Sequence, residues 1–413
     1  MCLLSNGNIV IMSNIKKTLL YTTIYNVGFM FCSGAIIQTF LLQIGFNDDQ
    51  VYLYNSLIQF AQVAMMVIMI FLANKVKRVK WAVGLAYLSM AVMASIFLFG
   101  AIDKDILLKP YVIVVFIVGA STYFVGGLHI VLSYVLPFYT IDMEEYGKMT
   151  GLGVMLAGGC SFALSFLHAF IVSKFDYRQS MIWFFVLAIV CFILTSIICL
   201  SLKEIPPPKD ENKKSSIVDV FKNRDTYLLI LPNFARGLAA GIMSVITVLA
   251  ISSNIIDEKT SSIVNVIMQI AMFAGNLLYI FTYKKLSSKV WLILSTIGIC
   301  VIFPLCLLGG KIWFFCIFFV AYLARMITDT AIPVLVAEII PKEQIVAYTS
   351  IRMLIFTGAQ AVATLIINPI VGVVGYTGLL IFAAIMQAIC GVGYCMCAHF
   401  KKKEDKPLSE SAQ

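Results

Sequence analysis

The sequence predicts an all-α membrane protein, twelve transmembrane helices in two pseudo-symmetric six-helix bundles. Three observations carry this. Of 413 residues, 61% are hydrophobic and 12% charged, with a mean hydropathy of +0.96, whereas ordinary soluble domains carry roughly 25% charged residues. The apolar residues gather into twelve runs near the length of about 20 residues that crosses a hydrocarbon core of about 30 Å. One extended polar stretch, SLKEIPPPKDENKKSSIVDVFKNRD, lies between the sixth and seventh runs, and its prolines, serines and mixed charge are those of a linker. The chain is therefore divided into a six-helix bundle over 1–202, a linker over 203–225 with a short amphipathic helix expected at Ile217 to Phe221, and a second bundle over 226–413 ending in a short tail.

The spans are read as Thr18–Leu42, Val51–Ala73, Trp81–Ala101, Pro110–Leu136, Lys148–Val172, Ser180–Leu202, Thr226–Ile251, Ser261–Thr282, Val290–Leu308, Ile312–Ala337, Tyr348–Val371 and Tyr376–His399. The net charge of +9 follows from topology. Basic residues crowd the segments before span one and after the even-numbered spans, while the opposite side holds Lys104, Lys109, Lys174, Arg178, Lys259 and Lys311. The positive-inside rule then sets both termini in the cytoplasm. The expected location is a multi-pass plasma membrane, that of a bacterial cell by its Ile, Lys and Asn richness. The basic balance supports no nucleic-acid partner, and the expected partners are a small-molecule substrate and the lipid bilayer around a monomer. The first eleven residues lack a charged n-region and a long h-region, so they do not read as a signal peptide. Eleven cysteines are scattered without metal-type CxxC pairs, and they read as small hydrophobes. Neither a cofactor nor a metal is expected, and the absence of a GxxxxGKT loop argues against ATP drive.

In chain order, span one carries Asn26, Gly28, Gly34 and Gln38, the glycines suiting close helix packing. Span two follows Asp48 and Asp49 with Asn55, Gln59 and Gln62, an i, i+4, i+7 polar stripe. Such a stripe faces protein or water, and interhelical hydrogen bonding and substrate binding both fit it. The link Asn74-Lys75-Val76-Lys77-Arg78-Val79-Lys80 is a compact basic turn. It resembles the Gly-x-x-x-Asp-Arg-x-Gly-Arg-Arg pattern of the major facilitator superfamily at this loop. Here Asn74 stands at the Asp position, Lys75 and Arg78 supply basic positions, and Ile70 and Lys77 replace glycines. Span four brings His129, Ser133, Tyr134 and Pro137, followed by Asp142. A lone intramembrane histidine fits a hydrogen-bonded structural role or a proton relay. Span five opens on Gly151, Gly153, Gly158 and Gly159, suited to packing.

The halves match each other internally, the sign of a duplicated unit. Asn26 and Gly34 correspond to Asn233 and Gly241, and Asn55 and Gln59 to Asn265 and Gln269. Pro137 and Asp142 correspond to Pro333 and Glu338, and Thr150 to Gly159 corresponds to Thr349 to Gly358 with Arg352 replacing Gly153. Two parallel six-span halves joined by a linker are what the superfamily resemblance implies, with substrate bound near the midplane between them. By that resemblance spans one, four, seven and ten line the cavity, spans two, five, eight and eleven form the moving interface, and Lys75, Arg78, Asp142, Glu338 and Arg352 serve gating or scaffold.

Charge at depth is confined to the second half. Arg236, Arg325, Asp329 and Arg352 lie within its spans, and Phe29 occupies the repeat position of Arg236. A charge at bilayer depth costs roughly 2.5 to 3.5 kcal/mol and marks a substrate or proton path when it is not a structural ion pair. Arg325 and Asp329, four apart on one helical face, fit either reading. Arg352, nearer the cytoplasmic end, is expected to snorkel or to anchor to Glu338. The leading expectation is a secondary transporter of a small polar solute. Substrate contacts are expected from Asn26, Asn55, Gln59, His129, Asn233, Arg236, Asn265, Gln269 and Arg325, and ion coupling from Asp329. Two arginines against one carboxylate point to an anionic solute; a neutral sugar or nucleoside fits the Asn and Gln set. Efflux of drugs or metabolites on the same fold, a membrane-embedded transferase and a non-transporting receptor are the alternatives. The transferase is disfavoured because His129 has no carboxylate near it in sequence and the loops are short.

Overall fold

The computed structural model describes residues 2–72, 78–103, 107–140, 143–204, 224–282, 285–339 and 345–404. Among these every regular element is helical. The first half runs Cys2–Phe31 continued by Gly34–Gln43 as span one, then Asp48–Leu72, Val79–Ile102, Leu108–Thr140, Met143–Lys174 and Tyr177–Leu200. The second runs Arg224–Ser244 continued by Ile246–Ser252 as span seven, then Glu258–Thr282, Ser288–Ile302 with a 3-10 turn at Phe303–Leu308, Gly310–Ile339 and Ile345–Glu404. This last helix holds spans eleven and twelve, parted at Gly375 by a break in the helical backbone. The amphipathic segment expected at 217–221, Lys75 and Asp142 lie outside the described residues.

Ten of the described helices are long and apolar enough to cross a membrane, the bent pair Pro232–Ser244 and Ile246–Ser252 makes an eleventh, and Ile263–Tyr279 is a shorter apolar helix. That shorter helix is span eight. Asn265, Gln269 and Asn276 punctuate it, and all three are buried, so its polarity is satisfied by neighbouring helices rather than by lipid. Short connections are held by side-chain caps: the Asp176 carboxylate accepts from the Gln179 amide at 3.2 Å and the Asp257 carboxylate from the Thr260 amide at 3.0 Å, each satisfying an orphan donor at a helix start.

The first helix of each half is broken. Span one breaks at Ser33, which is extended, ahead of a positive-φ Gly34. Span seven bends by 45° near Val245. Gly34 and Gly241 match in the repeat, yet the bend falls beyond Gly241, so the break is a property of each half rather than a copied feature.

We call distal the face bearing residues 44–47, 175–176, 253–257 and 309, and proximal the face bearing residues 78, 201–204 and 285–287. Toward the distal face the buried side chains form one continuous core drawn from both halves, with Phe31, Phe40, Phe97 and Phe185 in the same cluster as Val245, Leu249, Phe303 and Phe318. Toward the proximal face there are two cores. One is built on Tyr21, Met66, Val83 and Leu136, the other on Tyr279, Trp291, Ile327 and Tyr348, with Met353 and Leu354 of span eleven reaching across to the first. Polar bonds also join the halves. Gln38 Nε2 donates to the Ser244 carbonyl at 2.7 Å, the Ser252 hydroxyl donates to Asp48, Ser56 donates to Thr364 at 3.0 Å, and Asn265 Nδ2 donates to the Ser165 hydroxyl at 2.9 Å.

Lipid tails are as apolar as the side chains, so close backbone approach and interhelical bonds hold such a bundle. Gly237 illustrates this: a Cβ there would lie 2.4 Å from the Phe356 carbonyl oxygen and 2.7 Å from the Ala359 Cβ. That approach of span seven to span eleven fixes where the neighbouring Arg236 sits.

Candidate functional site

Arg236 is the centre of the charged cluster. Its side chain is 8% exposed, and its guanidinium lies 5.0 Å from the centre of the Phe356 ring, within cation–π range. Its Nη2 donates to Asp329 Oδ1. The other carboxylate oxygen of Asp329 is 3.6 Å from Arg325 Nε, and the Arg325 guanidinium lies 5.8 Å from the Tyr322 ring centre. The i, i+4 pair expected on span ten is therefore present, but Arg236 of span seven is the nearer partner of the carboxylate. Asp329 and Arg325 are 39% and 40% exposed, so a buried cation is tied to a carboxylate that opens onto accessible space. A cavity of about 40 Å³ adjoins the two arginines, walled by Arg236, Arg325, Tyr322, Phe356 and Gln387.

One turn earlier on span seven, Asn233 is fully buried and accepts a hydrogen bond from the Tyr394 hydroxyl at 2.8 Å. This ties span seven to span twelve beneath Arg236. Arg352 is buried at 6% exposure, with its Nη2 3.7 Å from the Met353 sulfur. The expected snorkelling is not what it does. Its side chain is packed within the bundle. The Glu338 side chain, its other expected partner, lies outside the described residues. Glu338 lies on the helix Gly310–Ile339, and Arg78 is exposed just before Val79–Ile102.

The amide residues of the first half lie elsewhere. Asn26 donates to its own Thr22 carbonyl at 2.7 Å. Asn55 donates to the Val51 carbonyl at 2.8 Å and accepts from Gln38 at 3.4 Å. Gln59 and Gln269 are buried, and the Gln59 Oε1 has no partner among the described residues. Asn265 bridges to span five. His129 shares a 2.9 Å hydrogen bond with the Tyr87 hydroxyl, its ring 4.8 Å from that of Tyr87 and 5.2 Å from that of Tyr25. Thus the structure gathers Arg236, Arg325 and Asp329, sets Asn55 and Asn265 into contacts between spans, and leaves His129 in an aromatic cluster.

Sequence reasoning missed Tyr322, Phe356 and Gln387 as wall residues, and Gln38 as a bridge between halves. Tyr322 lies three residues before Arg325 and shares its helical face, and Gln387 is a polar residue deep in span twelve, so both left a readable signal. Phe356 left none among many phenylalanines. No group of three or more His, Cys, Asp or Glu suited to a metal occurs among the described residues.

With its helices broken near one face, a shared distal core and two proximal cores, the chain has the fold of solved major facilitator superfamily transporters. Its solved likenesses include the fucose:proton symporter FucP of E. coli, a major facilitator superfamily transporter, at 13% identity and a TM-score of 0.65 over 93% of this chain and 99% of that one. A D-xylose-proton symporter is similar at 13% identity and a TM-score of 0.70 over 93% and 97%. A bacterial homologue of the iron transporter ferroportin is similar at 13% identity and 0.67 over 94% and 99%. No protein-family model matches the sequence, and no curated protein matches it by sequence. The resemblance read from the loop after span two and from the repeat is upheld at the level of fold.

Proposed function

We propose that this chain is a secondary active transporter of a small anionic solute, working by alternating access between a bundle over 1–202 and one over 226–413 joined by the linker 203–225. The observation that carries this reading is the ionic cluster in spans seven and ten, in which a buried Arg236 is neutralised by a half-exposed Asp329 with a second arginine on the far side of the carboxylate. Arginines at depth offer charge-assisted, bidentate hydrogen bonds to a carboxylate or phosphate. With Arg325 and Arg352 adding charge, the site has positive charge to spare for a solute.

Asp329 supplies the coupling. When ionised it occupies Arg236 and repels an anion; a proton on its carboxyl frees the guanidinium, and the anion then takes the vacated donors. Solute and proton enter together because each makes the site acceptable to the other. The continuous distal core and the divided proximal cores support a state open toward the termini, which the charge bias of the loops sets in the cytoplasm. Residues in this reading serve binding and gating, and none serves bond-breaking chemistry.

The fold neighbours named for fucose and D-xylose transport favour one other reading, a neutral sugar held by amides and aromatic rings. Counterflow in proteoliposomes against organic anions, sugars and nucleosides separates the two. Organic anions are expected to exchange, and purified protein to gain about 2.7 kcal/mol of stability with the bound anion at about 100 times its dissociation constant. Exchange of neutral sugars with no response to anions would overturn the anionic reading. Asp329→Asn is expected to retain exchange while losing pH-driven accumulation; unchanged accumulation would sink the coupling role.

A further inference from the structure

A second and larger cavity lies away from the charged cluster, in the groove between span nine (Ser288–Ile302) and span twelve. Its volume is about 820 Å³. The two helices meet where Gly391 faces Thr296, since a Cβ on Gly391 would lie 2.3 Å from the Thr296 Cγ2, and this contact forms the floor. The walls are apolar and open to the outside: Ile297, Val301 and Val392 are 54%, 63% and 60% exposed. Within a membrane such a trough faces lipid, so its occupant is a lipid chain. Its ends say which lipid.

Lys289 stands at the proximal end of the trough and is the charged residue among its lining side chains. It lines the trough on the span-nine side, with Cys395 among the lining residues of span twelve. Lys285 is exposed one turn earlier in sequence, and the helix that carries Met396 continues through Lys401, Lys402 and Lys403. From Lys289 to Val301 is twelve residues, about 18 Å at 1.5 Å per residue. Half of a hydrocarbon core of about 30 Å is about 15 Å, so the trough has the depth of a single leaflet and a cationic rim at that leaflet's surface. A long lysine stem along apolar wall with its ammonium at the headgroup level is the snorkelling arrangement.

We propose that this groove is a binding site for one anionic phospholipid of the proximal leaflet, with its phosphate at Lys289 and one acyl chain along Ile293, Ile297 and Val301. Basic rims beside transmembrane helices attract acidic headgroups by about 1 kcal/mol per lysine. Neither Arg236 nor Asp329 takes part, so this site stands apart from solute transport.

The test is lipid retention by the purified full chain, read by native mass spectrometry and by thermal shift, with phosphatidylglycerol, phosphatidylcholine and inorganic phosphate as probes. Phosphatidylglycerol is expected to bind more tightly than phosphatidylcholine. Lys289→Gln is expected to weaken it about fivefold, the equivalent of roughly 1 kcal/mol, and Lys289→Arg to retain it. Val392→Trp, a change at an exposed wall, is expected to fill the trough and displace both lipids while the melting temperature without lipid is kept. Wild-type retention of phosphatidylglycerol by Lys289→Gln or by Val392→Trp would overturn the proposal, as would equal binding of phosphatidylcholine. Equal stabilisation by inorganic phosphate would mark a free-anion site and overturn it too.

Discussion

The register that lays Pro137 on Pro333 also lays His129 on Arg325 and Ser133 on Asp329, and the register that lays Asn26 on Asn233 lays Phe29 on Arg236. At these matching positions the first half has two rings and a serine, and the second has charges. Phe29 stacks on Tyr25 at 5.4 Å, and His129 pairs with Tyr87, whereas Arg236 and Arg325 share Asp329. The duplicated scaffold was kept while its chemistry diverged. What this teaches is that a repeat is most informative where it fails: the amide and proline residues match across halves, and the charged residues at depth do not.

The comparison is broken most directly by moving charge across it. Phe29→Arg would set a cation at the position equivalent to Arg236 without a carboxylate opposite, at a cost of roughly 2.5 to 3.5 kcal/mol at bilayer depth. Loss of monodisperse protein on gel filtration is expected, while Phe29→Leu folds. If Phe29→Arg melts at the wild-type temperature, the two halves are not chemically distinct in the way described. Next in size is Arg236→Gln, which keeps a donor but removes the charge. A hydrogen bond to a charged group is worth about 1.5 to 3 kcal/mol, so solute binding should weaken by roughly 10- to 150-fold; counterflow at several solute concentrations reads this directly. Tyr87→Phe in the first half removes only the partner of His129, at about 0.6 kcal/mol. Its melting temperature should fall slightly and the pH profile of uptake should stay in place; a shifted profile would give His129 a proton-carrying role.

The smallest effect lies outside both clusters. Asp257 caps span eight, and the Thr260 hydroxyl holds its carboxyl below the usual carboxylate range. A depressed folded value means that its stabilisation is complete above the ordinary carboxylate range and is lost as pH falls through the lowered value. Asp257→Asn should therefore melt slightly below wild type at neutral pH, with the gap closing under acid; a gap independent of pH would show that the ionised form contributes nothing.

Much of the fold was legible because hydropathy is a long-range signal. A run of about twenty apolar residues needs no partner to be recognised, and the repeat fixed the order of spans. Span eight, read from sequence as Ser261–Thr282, holds only a shorter apolar helix because Asn265, Gln269 and Asn276 interrupt it, and Asn265 and Asn276 find partners on other helices. The charged residues of the site were legible for the opposite reason, since each stands out against an apolar background. Their pairing was not. Arg236 and Asp329 lie 93 residues apart, and only the packing of span seven against span eleven at Gly237 and Phe356 turns the guanidinium toward span ten.

The continuous distal core has a thermal consequence. To open that face, spans one and seven must part along Phe31, Phe40, Val245 and Leu249, and the surface uncovered is apolar. Hydration of apolar surface raises heat capacity by about 0.45 cal/K/mol per Å², so the opening step has an enthalpy that grows with temperature. Where that step limits turnover, the Eyring plot of transport is expected to curve, while binding to the state described here, which leaves the core intact, should give a straight van't Hoff line.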